Sequence, residues 1–174
     1  MISLDLETSG LIPNRHQILS IGAVHAESNR EFYAECYLLP NRDFQDKALE
    51  INGITEDQLN DVTKPSLYEI VRQFYLWVET TVPKNERLLL GQNIGQFDVQ
   101  HLKPEYEYLG LPWQFGYHYC DLNSIGVFLS GECQSLAKMC KIVNVEPEPK
   151  IHNALTGAQK ALEVYNKLRE LLNS

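Results

Sequence analysis

The first strand of this chain constrains its fold more than any other segment. Apolar and polar side chains alternate through residues 2–7, which is typical of a β-strand. The alternation places Asp5 and Glu7 on one face, roughly 6 to 7 Å apart by the rise of a strand. Leu4 and Leu6 favour a central strand, where exposed carboxylates are unusual unless they bind a ligand. An ordinary solvent-facing strand shows the same alternation, so this motif alone supports both interpretations equally.

The rest of the chain predicts a mixed sheet with helices. Two further β-rich runs, 17–25 and 30–39, are joined by a turn at Ser28 and Asn29, so the chain opens as a three-strand meander. Later strands are predicted at 87–91 and 117–122, and helices at 47–51, after Thr55, at 66–81, at 95–109 with a bend or break near Pro104, at 123–129, at 135–143 and from His152 onward. This order indicates an α/β fold in which helices flank a mixed β-sheet.

Length and composition set the class of protein. A chain of 174 residues with 44% hydrophobic content is long enough to bury a core of its own, so we expect a single domain spanning residues 1–174. No run approaches the roughly 18 apolar residues of a membrane span, and no signal peptide is recognisable, so we expect a cytoplasmic protein. The four cysteines show no Cys-x-x-Cys spacing and are expected to be buried, reduced thiols.

The net charge of −8 limits the ways in which this chain can meet nucleic acid. It argues against broad, non-specific adhesion, which normally relies on clustered Lys and Arg. It does not exclude a nucleic-acid enzyme, because divalent cations bound in an acidic cleft reverse the local field where a phosphate must lie. The acidity favours short strands or strand ends over long duplexes.

Two more residues, Asp98 and His152, are candidates for a functional site. Asp98 follows a glycine-bearing loop between a strand and a helix, so we expect its carboxylate at the end of the sheet, although an aspartate in a first helical turn also simply favours the helix dipole. His152 opens the last helix behind a loop that Pro147 and Pro149 stiffen. A general base can be held there at the rim of a site, although isolated histidines are more often structural. The other four histidines receive no role.

Three motifs follow one another in a characteristic order: Asp-x-Glu at residues 5–7, Asn-x-x-x-Phe-Asp at 93–98 and His-x-Ala-Leu at 152–155. This order and spacing resemble the DEDDh exonuclease family, the DnaQ-like group of the ribonuclease H-like superfamily, which includes proofreading subunits of bacterial replicative polymerases and oligoribonuclease. The resemblance extends over nearly the whole chain, through ILSIGAV from Ile18, GQNIGQFDVQHL from Gly91 and HNALTGAQKALEVY from His152. It implies a ribonuclease H-like mixed sheet and a metal-dependent nuclease.

The resemblance also implies a role for individual residues. Asp5 would bridge two Mg²⁺ or Mn²⁺ ions, Glu7 would hold the first ion, and Asp98 would contribute on the side of the second. His152 would accept the proton of the attacking water. The terminal nucleotide would be contacted by Thr8, Ser9, Leu11, Asn93 and Phe97. For these five, ordinary turn and core roles are at least equally consistent with the sequence.

Position 157 departs from the family pattern. The family places an aspartate that binds the first metal five residues after its histidine, and this chain has Gly157. Glycine costs a helix about 1 kcal/mol relative to alanine, so helix formation does not explain the choice. Three accounts stay open. Water replaces the carboxylate and activity is weak, or the chain is an inactivated exonuclease, or another acid such as Glu146 or Glu148 reaches the site.

The expected function is release of nucleoside 5′-monophosphates from 3′ ends of single-stranded DNA or RNA by a two-metal mechanism, attenuated by Gly157. The alternative is an inactive module of the same fold that binds nucleic-acid 3′ ends or a polymerase. A domain of this fold without nucleic-acid contact is a third reading. The expected partners are a single-stranded 3′ end and a DNA polymerase or a replication or repair complex, without a membrane. The choice of DNA or RNA and the oligomeric state stay open.

Overall fold

The computed structural model describes residues 1–173 and has, in that range, a five-stranded sheet in the order β3-β2-β1-β4-β5. The antiparallel meander comprises β1 (Ile2–Thr8), β2 (Ile18–His25) and β3 (Arg30–Glu35), and the parallel strands are β4 (Leu89–Gly91) and β5 (Tyr119–Asp121). The first strand is therefore the central one, as predicted. The predicted α/β class, with a meander followed by strands that alternate with helices, is confirmed.

Seven α-helices flank the sheet within residues 1–173: α1 (Asp46–Asn52), α2 (Glu56–Leu59), α3 (Leu67–Thr81), α4 (Asp98–Tyr108), α5 (Leu122–Ser130), α6 (Leu136–Ile142) and α7 (Ala154–Leu172). α3 begins with a capping box, in which the Ser66 hydroxyl accepts from the Glu69 N–H and the Glu69 carboxylate accepts from the Ser66 N–H. Asn153 caps α7 by accepting the N–H groups of Leu155 and Thr156. These caps fix where the two longest helices start.

The side chains of β1 lie between the two larger parts of the hydrophobic core. Ile2, Leu4 and Leu6 pack with α3 and α4 in a core rich in aromatic rings. Phe74 of α3 is fully buried there, with its ring centroid 5.4 Å from that of Phe32. The other part of the core lies between the sheet, α6 and α7, and its side chains are aliphatic or small.

α7 approaches the sheet closely at the middle of β1. Gly22 of β2 lies opposite Asp5 in the register of the two strands, and a β-carbon at Gly22 would overlap the backbone at Ala154. On β1, the buried hydroxyl of Ser3 donates to the carbonyl of Ala158 at 2.7 Å. The missing side chain at residue 22 therefore allows the first turn of α7 to lie next to Asp5.

α4 differs from its prediction at two points. It begins at Asp98, three residues later than predicted, because the N–H groups of Gln96 and Phe97 bond back to the carbonyl of Asn93 in a turn. Of the predicted bend or break near Pro104, the break is absent, because the helix continues through Pro104 to Tyr108. The late start leaves the carboxylate of Asp98 on the first residue of the helix.

Other predictions are corrected in detail. β3 ends at Glu35 and not at residue 39. The N–H of Cys36 still bonds to the carbonyl of Leu19 in β2, but the N–H groups at 37 and 38 bond to carbonyls at 65 and 59 instead. All four cysteines are free, and Cys36 and Cys140 are buried as predicted, but Cys133 is exposed in the loop after α5. Within residues 1–173, no helix combines the length and the apolar character needed to cross a bilayer.

Candidate active site

The carboxyl end of β1 opens into a cleft of about 720 Å³. The loop after β1, α1, the start of α6 and the loop before α7 complete its walls. Its lining includes Asp5, Glu7, Thr8, Leu11, Lys47, Phe97, Glu148, Lys150 and His152. Asp5 and Glu7 thus meet His152, which is distant from them in the sequence, at one cleft. A second depression, of about 660 Å³ beside Arg15 and Arg42, contains none of the predicted site residues.

Asp5 and Glu7 lie on the same face of β1 and both line the cleft. Glu7 is 8% exposed and Asp5 is half-buried. Asp5 points toward the first turn of α7, since a β-carbon on Gly157 would lie only 2.7 Å from Asp5 Cγ. The Asp5 carboxylate therefore fills the space that a side chain at position 157 would need.

Asp98 lies beside these acids without forming part of the cleft lining. It is 2% exposed, and its Oδ1 accepts a hydrogen bond from the backbone N–H of Leu6 at 3.0 Å. That N–H is available because β4 pairs with β1 only at Ile2 and Ser3. Because β4 is short, the edge of β1 at Leu6 is free to bond the Asp98 carboxylate. Leu6 directly follows Asp5, so Asp98 lies close to Asp5.

His152 and Glu148 reach the cleft from the loop before α7. His152 precedes the cap residue Asn153 and does not open the helix itself, and its backbone N–H donates to the carbonyl of Ile51 at 3.0 Å. The imidazole is exposed, and its Nδ1 lies 3.6 Å from Glu148 Oε1. The other oxygen, Glu148 Oε2, is buried and has no hydrogen-bond partner within residues 1–173. The loop thus brings a base and an additional acid to the cleft.

Burial shifts the acids of this site toward their neutral forms. It raises the pKa of Asp5 well above its ordinary value, and the charges of Asp98, Glu7 and Glu148 raise that pKa further. Burial, and then the charge of Glu148, raise the pKa of Glu7 from 4.5 to about 8. Burial also raises the pKa of Asp98 well above its ordinary value, although hydrogen bonds from backbone N–H groups oppose the shift. Ionising these neighbouring acids without a cation therefore costs free energy.

The chemistry of these donors suits a hard divalent cation. All four acids offer oxygen, which Mg²⁺ and Mn²⁺ prefer, and a cation among them would relieve their mutual repulsion. In the described chain, no three of their ligand atoms lie within 4.8 Å of one another, so a shared ion requires side-chain rotation. The group that does meet this distance, His25 with Glu27 and Glu86, lies at the other end of β1, and the N-terminal ammonium already pairs with Glu27 at 2.6 Å.

The five residues predicted at the terminal nucleotide fall into two groups. Thr8, Leu11 and Phe97 line the cleft, and Leu11 is 70% exposed, so apolar surface is available there. Ser9 is fully buried, and its hydroxyl makes two hydrogen bonds to the backbone. Asn93 is exposed away from the cleft lining and has a φ of 57° in the turn before α4. A nucleotide contact stays a prediction for all five.

Three charged residues of the cleft carry little signal in the sequence. Glu148 is one of two acids that the motif left open, marked only by its position between two prolines and four residues before His152. Lys47 and Lys150 line the cleft and are exposed. Neither belongs to a sequence motif, so the sequence does not predict that they lie at the cleft. They place positive charge beside the acids.

Comparisons with known proteins show which proteins this chain is similar to. The family model RNase_T, described as exonuclease, matches residues 2–165. The chain is 31% identical over 176 residues to the 3′-5′ DNA exonuclease Cap18 of Escherichia coli, a match that covers 98% of this chain and 91% of that protein. It is 28% identical over 186 residues to DNA polymerase III subunit epsilon of Buchnera aphidicola subsp. Schizaphis graminum, covering 100% of this chain and 74% of that subunit.

Solved structures support the fold. The zinc-bound form of Escherichia coli exonuclease I in complex with single-stranded DNA superposes with a TM-score of 0.79 at 17% identity. The match covers 98% of this chain and 40% of that chain, so the present chain spans about two fifths of the length of the solved structure. At this level of identity, the likeness concerns the α/β architecture alone.

Proposed function

Because the chain belongs to the exonuclease family whose model spans residues 2–165, as its DEDDh-like motifs predicted, we propose that it is a metal-dependent 3′→5′ exonuclease. Residues 1–174 would act as one catalytic domain that releases nucleoside 5′-monophosphates from single-stranded ends. The observation that carries the proposal is that Asp5, Glu7 and His152 line one cleft. Asp98 lies beside them, bonded to the backbone of Leu6 between Asp5 and Glu7.

The acids and the histidine would divide the chemical work. Asp5, Glu7 and Asp98 would hold two Mg²⁺ or Mn²⁺ ions through their carboxylate oxygens. Bound in this way, the ions would stabilise the charge on the attacking and leaving oxygens of the phosphate. His152, exposed at the rim, would accept the proton of the attacking water.

The rim of the cleft offers contacts for a strand end. Lys47 and Lys150 are exposed there and would meet backbone phosphates. Leu11 and Phe97 offer apolar and aromatic surface for the terminal base, and stacking on an aromatic ring is worth about 1 to 3 kcal/mol per base. The relative named as a 3′-5′ DNA exonuclease supports DNA as the first substrate to test, with RNA as the comparison. The relative named as a polymerase III subunit supports a DNA polymerase as a partner.

Nucleotide release from a 5′-labelled single-stranded oligonucleotide tests this function. In Mg²⁺ or Mn²⁺ we expect a ladder that shortens from the 3′ end. Asp5→Asn should lower the rate at least about 100-fold, because even the loss of a group behind the metal ligands costs about 10- to 100-fold. Glu146→Gln changes an exposed acid outside the cleft lining and should keep the full rate. An undiminished rate in Asp5→Asn would show that the chemistry takes place elsewhere.

Gly157 favours a second candidate function, a module that binds 3′ ends without cleaving them. Position 157 faces Asp5 and supplies no carboxylate. This function predicts that the unchanged chain binds a fluorescent single-stranded 3′ end but releases no nucleotide, and that Gly157→Asp gains release. In that variant the Asp5 carboxylate must rotate away, because the new β-carbon would lie 2.7 Å from its Cγ.

A further inference from the structure

One carboxylate of the cleft has an oxygen for which the chain provides no donor. Glu148 Oε2 is buried and has no hydrogen-bond partner within residues 1–173, although the side chain as a whole is 12% exposed. A buried polar atom without a partner costs free energy, and such atoms are rare in native proteins. Oε2 therefore indicates a ligand that the chain itself does not supply.

The surroundings of Glu148 identify the charge of that ligand. Glu148 lines the same cleft as Asp5 and Glu7, and its charge acts on both of them. In the described part of the chain, the one basic group within 4.0 Å of its carboxylate is the exposed imidazole of His152. Asp5, Glu7 and Glu148, with Asp98 beside them, outnumber the two exposed lysines of the cleft, Lys47 and Lys150. A divalent cation with oxygen ligands would balance the remaining negative charge.

Position 157 shows why an acid from this loop is needed. Gly157 presents no side chain to the cleft, and the Asp5 carboxylate occupies the place of its β-carbon. The start of α7 thus contributes no acid, whereas the loop just before it contributes Glu148. Pro147 and Pro149 flank Glu148 and restrict the backbone on both sides, so less conformational entropy is lost when its side chain binds.

We propose that Glu148 is a metal-binding carboxylate of this cleft and supplies, from the loop before α7, the acidic group that Gly157 does not. The inference rests on the proposed metal-dependent function and adds one ligand to it. A chain with glycine at position 157 then keeps four carboxylates for divalent ions: Asp5, Glu7, Asp98 and Glu148.

Calorimetric titration of the full chain with Mn²⁺ alone tests this role without relying on activity. Glu148→Gln keeps the shape of the side chain and removes its charge, and we expect its Mn²⁺ affinity to fall at least about 10-fold. Glu146→Gln removes an exposed charge from the same loop, two residues away, and should bind Mn²⁺ as the unchanged chain does. Equal affinities for Glu148→Gln and the unchanged chain would overturn the proposal.

A structural role of Glu148 through His152 has to be separated from direct metal binding, because the two side chains are 3.6 Å apart. The same titration in a His152→Gln background makes the separation. If Glu148 binds the ion directly, adding Glu148→Gln to that background still weakens Mn²⁺ binding at least about 10-fold. If the added change has no effect, Glu148 only orients His152 and the proposal is overturned.

Asp5→Asn, titrated in parallel, distinguishes this inference from the function on which it rests. Weaker Mn²⁺ binding in Asp5→Asn together with unchanged binding in Glu148→Gln would leave the metal-dependent site intact and exclude only the role of Glu148. Unchanged binding in both variants would reject the metal site as a whole. We expect both variants to bind Mn²⁺ more weakly than the unchanged chain.

Discussion

The two faces of β1 place opposite demands on the same strand. Its apolar side chains enter a core of aromatic rings, in which Phe74 is fully buried. Its polar side chains, Ser3, Asp5 and Glu7, face α7 and the cleft. One face buries hydrocarbon, which stabilises the fold by about 25 cal/mol per Å² of apolar surface. The other face buries carboxylates, and their raised pKa values show that the fold holds them against a cost.

The two faces of β1 differ in how closely the neighbouring helix approaches. α7 lies close to the polar face because small residues, Gly22 and Gly157, line the approach, and this closeness desolvates the acids. On the apolar face, small residues in place of large ones would leave gaps, and interior packing loses stability with each missing contact. The alternation of a single strand therefore separates stability on one side from chemistry on the other.

Phe74→Ala challenges this separation with the largest expected effect. We expect the free energy of unfolding to fall by about 3 to 5 kcal/mol, because the change leaves a cavity among packed rings. The folded fraction should still bind Mn²⁺ with unchanged affinity. Urea denaturation followed by circular dichroism, and calorimetry at low urea, measure the two quantities. Leu76→Ala, on the exposed side of the same helix, is the matched control and should cost less than about 1 kcal/mol. A 10-fold loss of Mn²⁺ affinity in Phe74→Ala would show that the two faces are coupled.

Glu7→Gln tests the polar face of β1 and, unlike Phe74→Ala, is expected to stabilise the fold. With a chelator present at pH 8, we expect the variant to be more stable than the unchanged chain by about 4 kcal/mol, since each pKa unit corresponds to about 1.4 kcal/mol. The folded chain holds the proton of Glu7 up to a pKa of about 8, whereas the unfolded chain releases it near 4.5. Stability is therefore lost as the pH rises between these values, and below about 4.5 the two proteins should not differ.

Denaturant titrations at several pH values, with and without Mn²⁺, measure this effect. Glu50→Gln removes an exposed carboxylate from α1 and is the matched control, with little expected change. Bound Mn²⁺ stabilises the folded state of the unchanged chain by mass action, so its presence should reduce or reverse the advantage of Glu7→Gln. Parallel stability curves for the unchanged chain and Glu7→Gln across this pH range would contradict the pKa shift.

Much of this comparison is predictable from sequence because local rules govern it. Leu4, Leu6, Asp5 and Glu7 follow the period of two, which alone assigns them to two faces. The capping box at Ser66 likewise starts α3 where predicted. The predicted start of α4 was wrong because the N–H groups of two residues, Gln96 and Phe97, bond back to the carbonyl of Asn93, a local hydrogen-bond pattern that periodicity does not detect.

The remaining features of the site depend on contacts between distant parts of the chain. Glu148 acts on Asp5 across more than 140 residues of sequence, and nothing in its own segment indicates which strand it will face. The short pairing of β4 with β1, which frees the Leu6 N–H for Asp98, is also a property of the assembled sheet. The resemblance to a family supplied the ligand set by analogy, but it gave no substitute for the missing acid at Gly157.

Gly22→Ala tests the close contact between β2 and the start of α7. Of the three substitutions proposed in this Discussion, it has the smallest expected effect on stability. The added β-carbon would overlap the backbone at Ala154, which cannot move without shifting α7. We expect a loss of about 1 to 3 kcal/mol in the free energy of unfolding, measured by urea denaturation. Mn²⁺ affinity should also fall in the folded protein, because a displaced α7 carries its preceding loop, and with it Glu148, away from Asp5.

Gly116→Ala provides the matched control for the same chemical change. Its β-carbon would approach no atom outside its immediate neighbours more closely than 4.0 Å, so the fold should accept it. Replacing glycine in a compatible conformation restricts the unfolded chain and stabilises the protein by about 0.4 to 1 kcal/mol. If Gly22→Ala behaves like this control in both stability and Mn²⁺ affinity, the close approach of α7 is not what holds the acids in place. The separation of the two faces would then need another physical basis, such as the bond between Ser3 and Ala158.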